Sequence, residues 1–155
     1  MITRDRKVRL SVKAIVIRDG RLLLMRAKDR WGTYYLLPGG GQKNGETLHD
    51  ALRRECLEET GVAAGPLRPR YIRDYVGKNH EFARWDKDFH QVEIMFLCRY
   101  EGKKRTARRP DVRQTGAVWM PLERLAKIRL YPSILKKLIG PAGRLSGPVY
   151  LGDVN

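Results

Sequence analysis

The stretch LRRECLEETG, residues 52–61, constrains the chain more than any other, because it puts three carboxylates where a helix disfavours them. Glu55, Glu58 and Glu59 are three and four residues apart, so they share one helical face and repel one another by roughly a few tenths of a kcal/mol per pair. Gly61 is typical of a helix end, which places the last two glutamates beside the negative end of the helix dipole. In a chain with a formal net charge of +15, this concentration of negative charge requires a compensating partner.

The phase of the helix directs these glutamates toward the protein interior. At about 100° per residue, Glu55 and Glu59 fall beside the leucines that mark the buried stripe. Carboxylates withdrawn from water have to be protonated, paired or bound to a cation. Pairing with Arg53 and Arg54 is one alternative, whereas three oxygen donors on one face suit Mg²⁺ or Mn²⁺. The cluster therefore predicts a divalent metal site.

The residues before this helix extend the pattern. Gly40 is followed after five residues by Glu46 and, after seven more, by the segment RECLEETGV, residues 54–62. This spacing resembles the signature of the Nudix hydrolase family, and every charged and glycine position matches. Cys56 departs from the aliphatic residue of that signature, which is a mild change because cysteine packs as a small hydrophobe. The lead-in LLPGGG and the flanking strands extend the resemblance over most of the chain.

The resemblance implies both a fold and a chemistry. The implied fold is an α/β sandwich of the Nudix type, with α/β/α layers around a mixed β-sheet. The implied reaction is hydrolysis of a pyrophosphate bond in a nucleoside diphosphate linked to another group, with Mg²⁺ or Mn²⁺ as the cofactor. In the family, residues like Glu55, Glu58 and Glu59 bind the divalent cations or activate the attacking water.

The resemblance also assigns supporting roles within the motif. The backbone carbonyl at Gly39 is implied as a further metal ligand, and Arg54 is implied to orient the glutamates. Gly40 and Glu46 are implied to support the loop. These roles agree with the chemistry of such a site, because a metal neutralises phosphate oxygens and glycines let the backbone approach closely.

Hydrophobic patterning predicts an order of elements that agrees with this fold. β-Branched residues predict a strand over 8–17, and an Asp-Gly pair after it predicts a tight hairpin into a strand over 22–27. Five glycines predict that residues 28–46 are mostly loop, and a helix is predicted over 47–60. The elements predicted after that helix are strands at 70–76, 91–100 and 116–121 and short helices at 122–128 and 132–140. We expect a single domain over residues 1–155, with a core at about 7–140 and a weakly ordered Gly/Pro-rich tail at about 141–155.

Composition narrows the class of protein. A pI near 10.3 favours polyanionic partners such as nucleotides or RNA over a merely solvated basic surface. Cys56 and Cys98 lack metal-type spacing and are predicted to be buried free thiols. The charged start and the short apolar runs predict a cytoplasmic protein without a membrane-spanning segment. The oligomeric state is left open, with a homodimer possible.

Several weaker candidates lie outside the motif. The loop before Trp119 is where the family often supplies another carboxylate; Asp111 is a candidate there, with a turn-forming Pro-Asp as the alternative, and Gln114 stands in the place of a glutamate. Glu93 is a second candidate. Substrate contacts are predicted for Arg26, Trp31, Tyr35 and Asp111, the two aromatic residues by stacking on a base.

Three functional hypotheses follow. The favoured one is a metal-dependent pyrophosphohydrolase that acts on a small nucleotide. The second is removal of pyrophosphate or a cap from RNA 5′ ends, which suits the basic segment 99–113, whose seven arginines and lysines are residues 99, 103, 104, 105, 108, 109 and 113. The third is a catalytically silent Nudix-like regulator that binds nucleotide, and the intact glutamate set speaks against it.

Overall fold

The computed structural model describes residues 7–104, 106 and 113–155. Within these residues the strands are β1 (Arg9–Arg18), β2 (Arg21–Asp29), β3 (Gly32–Leu36), β4 (Gly39–Gly41), β5 (Val62–Val76), β6 (His90–Lys103), β7 (Gln114–Pro121), β8 (Leu130–Tyr131) and β9 (Tyr150–Asp153). The helices are α1 (Leu48–Thr60), α2 (Ala83–Asp86) and α3 (Leu135–Leu138), with 3-10 turns at Gly77–Asn79 and Leu122–Lys127. Among the helices of this described part, none has the length and apolar character of a membrane span.

The strands form one mixed sheet. Its order is β8-β3-β2-β1-β6-β5-β9, with β4 paired to β1 and β7 paired to β2. The central strand β1 runs parallel to β6 and antiparallel to β2. This combination of parallel and antiparallel pairs agrees with the mixed sheet that the sequence predicted.

Alternation along β1 divides the core into two layers. Val12, Ala14 and Val16 pack beneath α1, against a cluster that includes Leu52 of that helix. Ile15 points to the opposite face, where it meets a second cluster. That second cluster is completed from the C-terminal turns by Leu122, Leu125, Leu135, Leu138 and Ile139. Helical segments therefore cover both faces of the sheet, and the predicted α/β/α sandwich is confirmed.

Local signals define both ends of α1. The Thr47 hydroxyl accepts a hydrogen bond from the Asp50 N–H, and the Asp50 carboxylate accepts one from the Thr47 N–H. This reciprocal cap satisfies two backbone donors that the first turn leaves without partners. At the other end, Gly61 adopts φ 74°, a left-handed conformation that stops the helix without strain on a side chain. The predicted helix over 47–60 is thus confirmed.

Both cysteines are buried free thiols, as predicted. Burial raises the pKa of Cys56 to about 11 and that of Cys98 to about 12. Cys56 lies on the buried face of α1, where it occupies the aliphatic position of the motif and packs in the cluster beneath the helix. The change from an aliphatic residue therefore leaves a small apolar side chain in the same place.

Three expectations about the fold are corrected. Residues 28–46 are not mostly loop, because they contain β3 and β4, where glycine-rich backbone pairs with neighbouring strands. Strand β5 begins at Val62 and not at residue 70; its prolines, which signal a break, sit where the register shifts. The tail was predicted to be weakly ordered, but β9 pairs in parallel with β5. Long-range pairing supplied the order that local composition disfavoured in all three segments.

Candidate active site

The glycine strand β4 lies directly against the glutamate face of α1. It pairs with Ser11–Lys13 of β1, and a Cβ added at Gly40 would stand 2.7 Å from the Glu55 carboxyl carbon. At Gly39, φ is 146° and an added Cβ would stand 2.0 Å from the Val12 carbonyl oxygen. Only glycine allows this approach, so the backbone of β4 forms one wall of the site.

Arg54 joins the loop to the helix. Its Nη2 donates to the Glu46 carboxylate at 3.0 Å, with a second short bond from Nε, and its Nη1 donates to Glu55 at 2.8 Å. It also reaches Glu58 at 3.5 Å and the Gly41 carbonyl at 3.2 Å. The planar guanidinium therefore fixes the positions of two helix carboxylates relative to the loop.

The electrostatic effect of Arg54 is strongest on Glu46. The Arg54 hydrogen bonds, with help from the Lys43 N–H, lower the pKa of Glu46 to about 2. The same pair raises the pKa of Arg54. Glu46 is therefore a permanent anion that anchors the arginine, in line with the supporting position that the motif gives it.

Glu59 occupies a different environment from its neighbours. Its carboxylate accepts a hydrogen bond from the Gly39 N–H at 2.9 Å and another from Gln114 Nε2 at 3.3 Å. Burial raises the pKa of Glu59, although Lys13 and the two hydrogen bonds oppose that rise and Glu55 adds to it. A carboxylate that is costly to ionise, held by polar partners at the edge of a cleft, has the properties of a proton acceptor or a cation ligand.

These groups border a cleft of about 580 Å³. Besides Gly39, Gly40 and the three glutamates, its lining residues are Arg9, Ser11, Lys13, Leu36, Asp86, Phe89, Gln91 and Gln114. Arg9, Ser11 and Lys13 were missed at the sequence level. They occupy alternate positions of β1, so their side chains lie on the same face of the strand. This alternation of polar residues in the sequence was the signal that could have identified them.

The donor types in the cleft fit a divalent cation. The candidate ligands are oxygens, from the glutamate carboxylates and the Gly39 carbonyl, and hard cations such as Mg²⁺ and Mn²⁺ prefer these ligands. Within residues 7–104, 106 and 113–155, no three carboxylate, histidine or cysteine side chains are grouped closely enough to hold a metal as they stand. Glu55 faces Arg54 and Glu59 faces the Gly39 N–H. The three glutamates share one helical face, and each side chain has several staggered rotamers available.

The predicted substrate contacts lie apart from this cleft. Arg26 is exposed and donates to the Thr115 hydroxyl at 2.9 Å. Tyr35 packs against the core cluster on the far face of the sheet. Trp31 is exposed and lines a neighbouring cavity. Asp111 lies outside the described residues.

Glu93, the second candidate for an extra carboxylate, belongs to the interior. It is 3% exposed, and it accepts hydrogen bonds from Arg73 Nε and Gln91 Nε2, each at 3.0 Å. A buried charge with a satisfied partner is expected to be structural, because separating the pair would leave an uncompensated charge. Gln114, by contrast, reaches the site through Glu59.

Comparisons with known proteins agree with the geometry. The sequence model of the NUDIX domain matches residues 7–139. A relative from Salmonella agona, the nucleoside triphosphatase NudI, is 28% identical over 95 residues, which is 58% of this chain and 67% of the relative. Among solved structures, a NUDIX hydrolase from Nitrosomonas europaea superposes with a TM-score of 0.69 at 20% identity, covering 90% of this chain and 93% of that one. A MutT NUDIX hydrolase from Burkholderia pseudomallei superposes with a TM-score of 0.58 at 28% identity, covering 76% and 85%.

The NUDIX-domain match and the relatives identify a hydrolase that acts on phosphoanhydride bonds. The chain belongs to the Nudix family.

Proposed function

We propose that this protein is a divalent-metal-dependent pyrophosphohydrolase of a small nucleotide. In this proposal it cleaves a phosphoanhydride bond in a nucleoside diphosphate linked to another group, a class that includes nucleoside triphosphates. One observation carries the proposal: Glu55, Glu58 and Glu59 line a single cleft in which Arg54 positions two of them and β4 closes one wall. A protein that only binds nucleotide has no need of this set.

The cation would be held by oxygens already in the cleft. Glu55, Glu58, Glu59 and the Gly39 carbonyl are the proposed ligands of Mg²⁺ or Mn²⁺. Such a cation, when bound, neutralises phosphate oxygens and lowers the pKa of a coordinated water. It would also remove the mutual repulsion of the glutamates and their conflict with the helix dipole.

Side chains around the glutamates are proposed to bind the substrate and move the proton. Lys13, whose Nζ lies 3.4 Å from the Gly39 carbonyl oxygen, and Arg9 place positive charge beside the carboxylates, where phosphate oxygens would bind. Glu59 accepts the proton of the attacking water at a carboxylate oxygen, a role that its raised pKa favours. Arg54, held by Glu46, is a positioning residue that orients Glu55 and Glu58.

A nucleotide substrate is supported by the relative and by the charge of the chain. The Salmonella agona relative is named a nucleoside triphosphatase, and the chain's net charge of +15 attracts polyphosphates. The cytoplasmic location and the possible homodimer stay predictions from the sequence.

The deciding experiment is a substrate panel. Nucleoside triphosphates, sugar nucleotides and dinucleotides are incubated with the full chain and Mg²⁺ or Mn²⁺, and the phosphate products are separated by chromatography. We expect hydrolysis of at least one small nucleotide and its loss in excess chelator. Full activity in chelator, or no hydrolysis of any member with either metal, would contradict the proposal.

RNA 5′ ends are the second candidate, favoured by exposed Lys103 and Lys104 at the end of β6. An RNA that contacts several such residues releases counterions, so its apparent affinity would fall with a log–log salt slope of roughly −0.7 per phosphate contacted. A free nucleotide in the cleft reaches few of these residues and should show a shallow slope. Rates on 5′-triphosphorylated RNA and on free nucleotides across a salt series separate the two. A preference for RNA that collapses with salt would assign the activity to RNA.

A further inference from the structure

Two tryptophans are exposed side by side near the catalytic cleft. Trp31 is 54% exposed and Trp85 is 52% exposed, and their rings meet edge to face with centroids 5.9 Å apart. Both line a cavity of about 230 Å³. Two adjacent indoles left in water form an apolar patch, and such patches on folded proteins mark binding sites more often than scattered single residues do.

Arginines surround the two rings. The Arg30 guanidinium lies 4.2 Å from the Trp31 centroid and 5.5 Å from the Trp85 centroid, and Arg113 lines the same cavity. Arg84 lies 5.9 Å from the Trp85 centroid. Aromatic faces beside arginines suit a ligand that has both a flat π-system and negative charge, which is the chemistry of a nucleotide.

The position of Trp31 is fixed by the turn that carries it. The Trp31 N–H donates to Asp29 Oδ1 at 2.9 Å. Arg129 holds the same carboxylate through two hydrogen bonds of 3.1 and 2.9 Å, and this pairing lowers the pKa of Asp29. The turn is therefore anchored to the sheet, so the indole is presented with little conformational freedom to lose on binding.

Shared lining residues relate the tryptophan cavity to the glutamate cleft. A cavity of about 150 Å³ shares Asp29, Phe82, Trp85 and Arg113 with the tryptophan cavity. It is also lined by Asp86, which belongs to the lining of the catalytic cleft. The next residue after Arg113 is Gln114, which bonds to Glu59. The tryptophan cavity and the glutamate cleft therefore neighbour one another through Trp85 and Asp86, as a base site and a phosphate site for one ligand would.

We infer that the Trp31–Trp85 cavity binds the nucleobase of the substrate whose phosphates lie in the glutamate cleft. The inference rests on the proposed function, because it assumes a nucleotide in that cleft. The cavity is smaller than the roughly 300–1,000 Å³ of sites that enclose whole ligands, which suits a base and not an entire nucleotide. Stacking on an indole tolerates different bases, so this site contributes affinity more than discrimination among them.

Indole fluorescence tests the inference without hydrolysis. The chain has three tryptophans, so the Trp119→Phe variant leaves only the two indoles of the cavity as reporters. In this background, with chelator present, the full chain is titrated with AMP and GMP and, as the base-free probe, with ribose 5-phosphate. We expect saturable quenching by AMP and GMP and none by ribose 5-phosphate.

Substitutions then test the role of the rings. Trp85→Ala should weaken AMP binding by about tenfold to a hundredfold, since stacking on one aromatic side chain has an effect of that size. Trp85→Phe should restore most of the affinity. The matched control is Leu67→Ala, which removes an apolar side chain that is 53% exposed on β5, and it should leave AMP binding unchanged. Equal AMP affinity in Trp85→Ala and its parent, or equal quenching by ribose 5-phosphate, would overturn the inference.

Two further measurements separate this inference from the proposed function. With a hydrolysed nucleotide, Trp85→Ala should raise KM by a factor similar to its loss of AMP affinity, whereas kcat should change less. Tryptophan-dependent AMP binding in a protein that hydrolyses no nucleotide would keep the base site and reject the proposed function. Nucleotide hydrolysis with an unchanged KM in Trp85→Ala would keep the proposed function and reject the base site. A 5′-phosphorylated oligoribonucleotide that binds more tightly than AMP, and loses that affinity in Trp85→Ala, would keep the base site and assign the base to RNA.

Discussion

Carboxylates at two places in this molecule have opposite environments. On α1, burial raises the pKa of Glu59, and Lys13, the Gly39 N–H and Gln114 oppose that rise only in part. At the end of β9, burial also acts to raise the pKa of Asp153, but hydrogen bonds outweigh it and the pKa falls to about 2. The first carboxylate is therefore ionised at an energetic cost, whereas the second is stabilised as an anion by the chain.

The donors around Asp153 explain its behaviour. The Val76 N–H donates to its carboxylate at 2.9 Å, Asn79 Nδ2 does so at 2.7 Å, and His80 Nε2 lies at 2.5 Å. These groups belong to the end of β5 and the turn after it, so the carboxylate fastens the C-terminal strand to the sheet. A fully satisfied carboxylate is what a structural role requires.

The difference teaches how to distinguish a functional charge from a structural one. Among the described residues, the hydrogen bonds from Gly39 and Gln114 do not offset the burial of Glu59, which fits a group that gains a further partner from outside the protein. Asp153 has donors on both oxygens and gains nothing from a ligand. A substitution at Glu59 should therefore lower activity without loss of stability, whereas one at Asp153 should lower stability with little change in activity.

The largest effect is expected from Glu59→Gln. Turnover on the best nucleotide should fall by about 10²–10⁴-fold, because a positioned proton acceptor and a proposed metal ligand are lost together. The melting temperature of the metal-free protein should not fall and should rise, because the charge whose pKa is raised on folding is removed. Steady-state kinetics and thermal unfolding in chelator measure the two effects.

The matched control for this variant is Glu123→Gln, which changes an exposed glutamate on the 3-10 turn after β7. It should leave both turnover and melting temperature near those of the parent. Turnover equal to that of the parent in Glu59→Gln would contradict a catalytic role for Glu59. A marked loss of stability in the same variant would indicate that Glu59 is a structural carboxylate like Asp153.

Gly40→Ala tests whether the position of Glu55 matters as much as its charge. The new Cβ would stand 2.7 Å from the Glu55 carboxyl carbon, so the carboxylate has to move away from β4. We expect turnover to fall by about 10²-fold, since displacements near 1 Å at a reacting centre have effects of that size. Gly140→Ala is the control, because its Cβ would meet its nearest neighbour, the Arg144 carbonyl oxygen, at 3.5 Å. Comparable turnover in the two variants would show that β4 does not constrain the site.

The part of the candidate site that could be predicted consists of residues close together in the sequence. The glutamates of α1, Arg54 and the supporting Glu46 are close in sequence, and the helix period converts their spacing into one face. The helical phase predicts that Glu55 and Glu59 point inward, and in the structure both line the cleft.

The part of the candidate site that could not be predicted is brought together by pairing between segments distant in the sequence. Lys13 reaches the cleft because β1 pairs with β4, and Asp86 reaches it from the segment inserted between β5 and β6. Asp86 leaves no local signal, and the polar alternation of β1 marks Lys13 without showing which segment it will face. Glu93 could not be distinguished from a site carboxylate until Arg73, which is 20 residues away in sequence, was placed beside it. The tail was misjudged for the same reason, since the Asp153 donors lie more than 70 residues earlier.

The smallest effect on activity is expected from Asp153→Asn, which should change stability instead. The amide cannot accept hydrogen bonds on both arms, so at neutral pH we expect the free energy of unfolding to fall by about 1–3 kcal/mol. Turnover at 25 °C should stay within a few-fold of the parent. The control is Asp19→Asn, whose side chain is 85% exposed and which should change the free energy of unfolding by less than about 0.5 kcal/mol.

The pH dependence of this loss identifies its cause. An acid whose pKa is lowered on folding stabilises the native state at pH values above its ordinary pKa of about 3.9, and that contribution is lost as pH falls through its native pKa. For Asp153 the native pKa is about 2, so the gap between parent and Asp153→Asn should shrink as pH falls from about 4 to about 2. Denaturant unfolding at a series of pH values measures the gap. A gap that is constant across this window would mean that the carboxylate's charge does not hold β9, and the contrast with Glu59 would then rest on hydrogen-bond geometry alone.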